Sequence, residues 1–118
     1  MDLKTAIKTY QFAERAKSEL IVCSQLLNAL AGFPEQERPG AKRMLLLVIE
    51  SVRSELEFAF RDTERAEFKK GIGFLNEAIS LSESDQYGSA VLKLSEAISA
   101  ATTAAQGAWK VLADNGLL

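Results

Sequence analysis

Residues 86–116 read QYGSAVLKLSEAISAATTAAQGAWKVLADNG, and this stretch decides the fold. Tyr87, Val91, Leu94, Ile98, Ala101, Ala105, Ala108 and Leu112 recur at intervals of three and four, a spacing that puts side chains on one face of an α-helix. Ala90, Ala97 and Ala104 form a second line at heptad spacing, where small side chains let another helix approach closely. Asn115-Gly116 supplies the stop, because glycine takes the left-handed conformation that ends helices at little cost. A helix from about Gln86 to Asp114 with an apolar line along its whole length has to bury that line against other helices.

Three more helical patterns precede it. The third helix, about Glu64 to Ser82, directs Phe68, Ile72, Leu75 and Ile79 inward, and Ser82-Glu83-Ser84-Asp85 makes the turn that follows. Gly71 and Gly73 within it each cost about 1 kcal/mol relative to alanine, which points to close approach of a neighbouring helix. The second helix, about Ala41 to Arg61, carries Leu45, Ile49, Val52, Leu56 and Phe60. A polar stretch, Arg61 to Arg65, interrupts its stripe and marks a turn with Asp62 or Thr63 as the next N-cap. That stretch holds no strong breaker, so one long bent helix from Ala41 to Leu81, giving a three-helix arrangement, is the alternative. The first helix, about Leu3 to Ala31, repeats Ala13, Ala16, Leu20, Cys23, Leu27 and Leu30. Asp2 caps it, and a left-handed Gly32 followed by Pro34 ends it, leaving Gly32 to Gly40 as the longest loop. Four helices joined by mostly short turns predict an all-α, up-and-down four-helix bundle in a single domain spanning residues 1–118.

Composition narrows the function classes. The longest apolar run, Met44 to Ile49, falls far short of the ~20 residues that cross a bilayer. The N-terminus has no basic patch followed by an apolar stretch, and a cytoplasmic protein is expected. Net charge is −2, which gives no general attraction to nucleic acid or to an anionic membrane. The charges between Glu35 and Lys70 divide evenly, eight acidic and eight basic, so the middle of the chain is wet and self-neutralising while its flanks are charge-poor.

Histidine is absent and Cys23 is the single cysteine. Cys23 lies on an apolar stripe and reads as a buried, inert thiol. Di-metal bundles need inward-facing glutamates with Glu-x-x-His pairs, whereas Glu50, Glu57, Glu77 and Glu96 fall outside the apolar stripes of their helices. No metal site, cofactor or catalytic residue is expected. Arg61, Arg65, Lys69 and Lys70 form a short basic stripe only if the second and third helices run on unbroken. Asp62, Glu64 and Glu67 interleave with it, and no exposed aromatic is expected beside it to stack on bases. Nucleic-acid binding is not expected.

The outer face of the fourth helix, opposite its core line, is poor in charge. It presents Ser89, Leu92, Ser95, Ser99, Ala100, Thr103, Gln106 and Gly107, with only Lys93, Glu96 and Lys110 charged. An exposed helix ordinarily carries more charge than that. Leu92, Ser95, Ser99, Ala100, Thr103 and Gln106 are therefore the candidate interface for a second copy, in a homodimer, or for another helical protein.

Phe74-Leu75-Asn76-Glu77-Ala78-Ile79-Ser80-Leu81, then Asp85 to Ala90, then Leu94-Ser95-Glu96-Ala97-Ile98 resembles one tetratricopeptide-type hairpin, with Ala78, Tyr87, Ala90 and Ala97 at the small and aromatic packing positions. An array needs several such units, and the first half of the chain has no second copy. Continued through Ala104 to Gly116, the stretch also resembles the C-terminal hairpin of the HEPN superfamily, four-helix bundles that often dimerise and sometimes cleave RNA. Nuclease members carry an arginine followed by a histidine, so that activity transfers to no residue here. Small archaeal helical proteins of the DUF357 type are similar too, ending in a helix and then a glycine before apolar residues. The expected function is a non-enzymatic interaction or assembly module. The alternative is a HEPN-like nucleic-acid-associated or toxin–antitoxin component without the catalytic histidine.

Leu94 and Ile98 occupy the middle of the decisive stripe, and truncation of either to alanine is expected to cost ~2–5 kcal/mol in chemical denaturation. A loss within ~0.5 kcal/mol for both variants would show that the helical phase is wrong.

Overall fold

The computed structural model describes residues 1–118 as α1 (Leu3–Leu30), α2 (Arg38–Thr63), α3 (Ala66–Glu83) and α4 (Tyr87–Asp114). α1 packs on α2 and α4, and α3 packs on α2 and α4, while across one diagonal Phe12 of α1 meets Phe68 of α3 edge to face, ring centroids 6.4 Å apart. The chain thus runs up and down around a square, an all-α four-helix bundle. Its extents of 54 × 22 × 19 Å suit a length set by 28-residue helices, each ~42 Å long at 1.5 Å per residue.

The helix ends show where local chemistry decides. Asp2 Oδ1 accepts the Thr5 N–H at 2.7 Å and caps α1, as the sequence implies. Gly32 is not left-handed; Gly116 is the one glycine with positive φ. The chain instead leaves α1 through tight turns in which Gly32 N–H donates to the Ala29 carbonyl and Phe33 N–H to the Leu30 carbonyl. α2 begins at Arg38, three residues before the expected Ala41, because Pro39 sits in the first turn, where its missing N–H costs nothing. The loop shortens accordingly, and the Arg38 side chain closes it by donating to the Phe33 carbonyl at 3.0 Å.

α2 and α3 are separate, so the long bent helix does not form. Glu64 turns left-handed at φ 57°, and α3 starts from Arg65 as N-cap, without a side-chain cap bond, in place of Asp62 or Thr63. Thr63 still shapes the break. Its buried Oγ1 donates to the Ala59 carbonyl at 2.7 Å and accepts the Arg65 N–H at 3.3 Å, bridging the two helices. At the α3–α4 turn, left-handed Asp85 lets the Gln86 N–H reach back to the Leu81 carbonyl at 2.8 Å, the hydrogen bond of a Schellman motif. The same bond, Leu117 N–H to the Leu112 carbonyl, closes α4 at Gly116.

The core follows the predicted stripes with a small rotation. Leu94, Ala101, Ala105, Ala108 and Leu112 are buried together with Ala90, Ala97 and Ala104, while Tyr87, Val91 and Ile98 are only partly buried at the edge. α4 therefore points the gap between its two lines at the centre. α1 likewise buries Ala6, Ala13 and Ala16, so small side chains make up much of the core on both helices. Gly71 allows the expected close approach, since an added Cβ would stand 3.1 Å from Leu56 Cδ1. Gly73 does not, because its Cβ position faces open space.

Left-handed backbone strains any residue with a Cβ, so Glu64→Gly is expected to raise stability by ~1 kcal/mol. Urea denaturation checks this, and a loss of stability would mean that the Glu64 side chain contributes more than its strain removes.

Candidate functional site

The outer face of α4 remains open. Leu92 is 65% exposed, Ser95, Ser99, Thr103 and Gln106 are exposed as well, and Ala100 is half-buried at the flank of that face. Ser95 and Thr103 turn their hydroxyls back onto the carbonyls of Val91 and Ser99 at 3.2 and 3.0 Å, which satisfies them within their own helix. Lys93 is held by Glu77 of α3 and Glu96. Leu92 is the single large apolar group among the six, and the exposed Trp109 stands at the edge of the face beside Gln106.

Exposed apolar mass gathers elsewhere, along the seam of α1 and α2. Val22, Leu26, Phe33, Met44, Leu47, Val48 and Phe58 are all exposed, with Met44 at 71%, Leu47 at 62% and Phe58 at 59%. Three concavities run into one another beneath them. One is lined by Phe12, Leu56, Phe58 and Asp62, the next by Val22, Leu47, Val48 and Ser51, and the last by Leu26, Phe33, Met44 and Val48. The first two share Arg15 and Glu55, and the last two share Val48. Sequence reasoning missed this face because its residues flank two separate core stripes, and neither flank alone is conspicuous.

A charged cluster sits midway along the seam. Arg15 Nε donates to Glu19 Oε1 at 2.9 Å, and Arg15 Nη2 lies 2.7 Å from Glu55 Oε1 across the helix gap. The other oxygen of Glu55, Oε2, is buried and has no donor in reach. Burial, the hydrogen bond shared with Glu19 and the charge of Glu19 together push Glu55 up to about 7, against the pull of Arg15. Burial also acts to raise Glu19, but the hydrogen bond from Glu55 and the Arg15 guanidinium outweigh it and leave Glu19 lowered. Two carboxyls gathered around one guanidinium resist ionising together, which is the sense of the two opposite shifts. The sequence-level expectation that carboxylates stay clear of the apolar faces thus holds for the exposed Glu57, Glu77 and Glu96 and fails for Glu55.

The remaining reactive groups are quiet. Cys23 is buried, and burial and then the nearby Glu19 carboxylate push its thiol up to about 11, so it holds little nucleophilic thiolate. The basic stripe is cut at the α2–α3 break. Arg61 stacks over Phe58 at 5.1 Å and Lys69 over Phe60 at 6.0 Å, which points them toward different rings. No helix is long and apolar enough to cross a membrane. Comparison with protein-family models, with curated proteins and with solved structures gives no match to this chain.

Because Glu55 binds its proton more tightly in the folded state, that proton stabilises the fold below the ordinary value of 4.5, and the contribution is lost as pH rises through about 7. Glu19, Asp2 and Asp85 are lowered and titrate beneath that window. Parent stability is expected to fall from about pH 5 to about pH 8. Glu55→Gln, which keeps a neutral donor to Glu19, should flatten the profile in denaturant titrations. An unchanged slope in the variant would remove Glu55 as its source.

Proposed function

We propose that this chain is a non-enzymatic helical-bundle interaction module that docks protein on its α1–α2 face. One observation carries the reading: seven large apolar side chains from α1, the first loop and α2 stand exposed along one continuous seam. Apolar side chains gathered in this way mark a binding surface more often than idle solvent contact. The charged cluster fits a docking role, since Arg15 directs its guanidinium at Glu19 and Glu55 within the seam. The α4 face offers less, because binding energy concentrates in a few large desolvated side chains and only Leu92 and, at its edge, Trp109 stand exposed there. The HEPN-like nucleic-acid reading loses its basic stripe at Glu64. A cytoplasmic setting suits a reduced, buried Cys23.

A photo-crosslinking amino acid placed at Leu47 in cells of the natural host is expected to yield a discrete protein adduct on illumination, and one placed at Ser99 is not. Leu47 without an adduct, or Ser99 with one, would move the docking surface off α1–α2.

A further inference from the structure

Resting on that reading, we propose that the occupant of the α1–α2 face is a second copy of this chain, related by a two-fold axis that crosses both helices near Glu19 and Ser51. The face is self-complementary about that line. Phe58 protrudes at one end, and at the other an all-apolar cleft opens between Leu26, Phe33, Met44 and Val48. Ser51 lies midway between Phe58 and Met44 on α2, so a two-fold there lays each copy's Phe58 over the other's Met44 and cleft. The cleft holds about 260 Å³, less than the ~300–1,000 Å³ of small-molecule sites, and is sized for inserted side chains.

Area and charge agree with this occupant. From Lys8 to Phe33 the face runs about 25 residues, ~38 Å at 1.5 Å per residue. Two helices at ~10 Å spacing make it ~20 Å wide, giving ~750 Å² against the ~800 Å² per partner of a standard interface. Most charges on the face are matched within each copy, the exception being Arg61, which lies 5.1 Å over the Phe58 ring. Lys8 pairs with Asp62 at 3.7 Å at one end, and Arg15 with Glu19 and Glu55 at the centre. With one proton on the Glu19–Glu55 pair the central cluster is neutral. Without it each copy brings a net negative charge into the contact, which desolvation opposes. From α1 the groups facing this pair are Arg15 and the buried Cys23 thiol. α3, on the opposite flank of α2, brings no charge to it, its polar link there being Asn76 with Arg53. Assembly therefore takes up protons as well as burying apolar surface.

Sedimentation equilibrium of the full chain tests this. The parent is expected to dimerise with an affinity at least ~10-fold weaker at about pH 8.5 than at about pH 6, and Glu55→Gln to dimerise alike at both. Met44→Lys, at a solvent-exposed position that leaves the fold intact by circular dichroism, is expected to be monomeric, whereas Ser99→Lys on α4 stays dimeric. Oxidation of Ser51→Cys in a Cys23→Ser background is expected to trap a covalent dimer, because Ser51 meets its own mate at the axis. A parent monomeric at both pH values overturns the second copy, as does a dimer that survives Met44→Lys or splits with Ser99→Lys. The Leu47 adduct then separates the two ideas: a single foreign protein there retains the docking face and removes only the identity of its occupant.

Discussion

The α1–α4 seam is the constraint on which the rest of the bundle depends. Ala6, Ala13 and Ala16 of α1 and Ala90, Ala97, Ala101, Ala104, Ala105 and Ala108 of α4 are all buried. Side chains this small let two backbones approach closely and exchange dispersion contacts along most of their length. α1 is drawn toward α4 more extensively than toward α2. A larger side chain at any of these positions would have to push the helices apart, because close-packed interiors accommodate added volume poorly.

The opposite edge of α1 bears the consequence. Where α1 meets α2, the buried Ala16, Leu30, Leu45, Val52 and Leu56 form the floor of the concavities, and the residues just above that floor have no third helix to cover them. Val22, Leu26, Val48 and Phe58 are left against solvent. The groove and its exposed apolar rim are thus the geometric counterpart of the more extensive α1–α4 packing.

Within that groove a carboxyl acquires chemistry that composition alone gives no reason to expect. In a chain without histidine, titration near neutrality usually has no side chain to perform it. Glu55 does so here, because burial and the Glu19 carboxylate both disfavour its ionised form. Arg15 keeps the pair from separating by holding one oxygen of each. Any partner that covers the seam removes more water from this pair and so strengthens its hold on the proton.

Helix periodicity in this sequence determined the all-α class and most of the buried residues, since a three-and-four spacing has one physical meaning over stretches as long as 86–116, while Phe60, Ile72, Tyr87, Val91 and Ile98 of the stripes stay partly buried and Ala59, Thr63 and Ser82 are buried off them. Asp2 and Asn115-Gly116 marked two helix ends for the same local reason. The α2–α3 break was visible only as a polar interval, because the left-handed turn falls on Glu64, a residue with no preference for it. Gly32 and Pro39 misled in the same way: where the next helix packs decides whether a glycine turns left-handed or a proline begins a helix. The exposed apolar seam and the charged cluster within it were decided by tertiary structure alone. Residues 15, 19 and 22 acquire their meaning from 55, 51 and 48, and only the antiparallel pairing of two helices places them side by side.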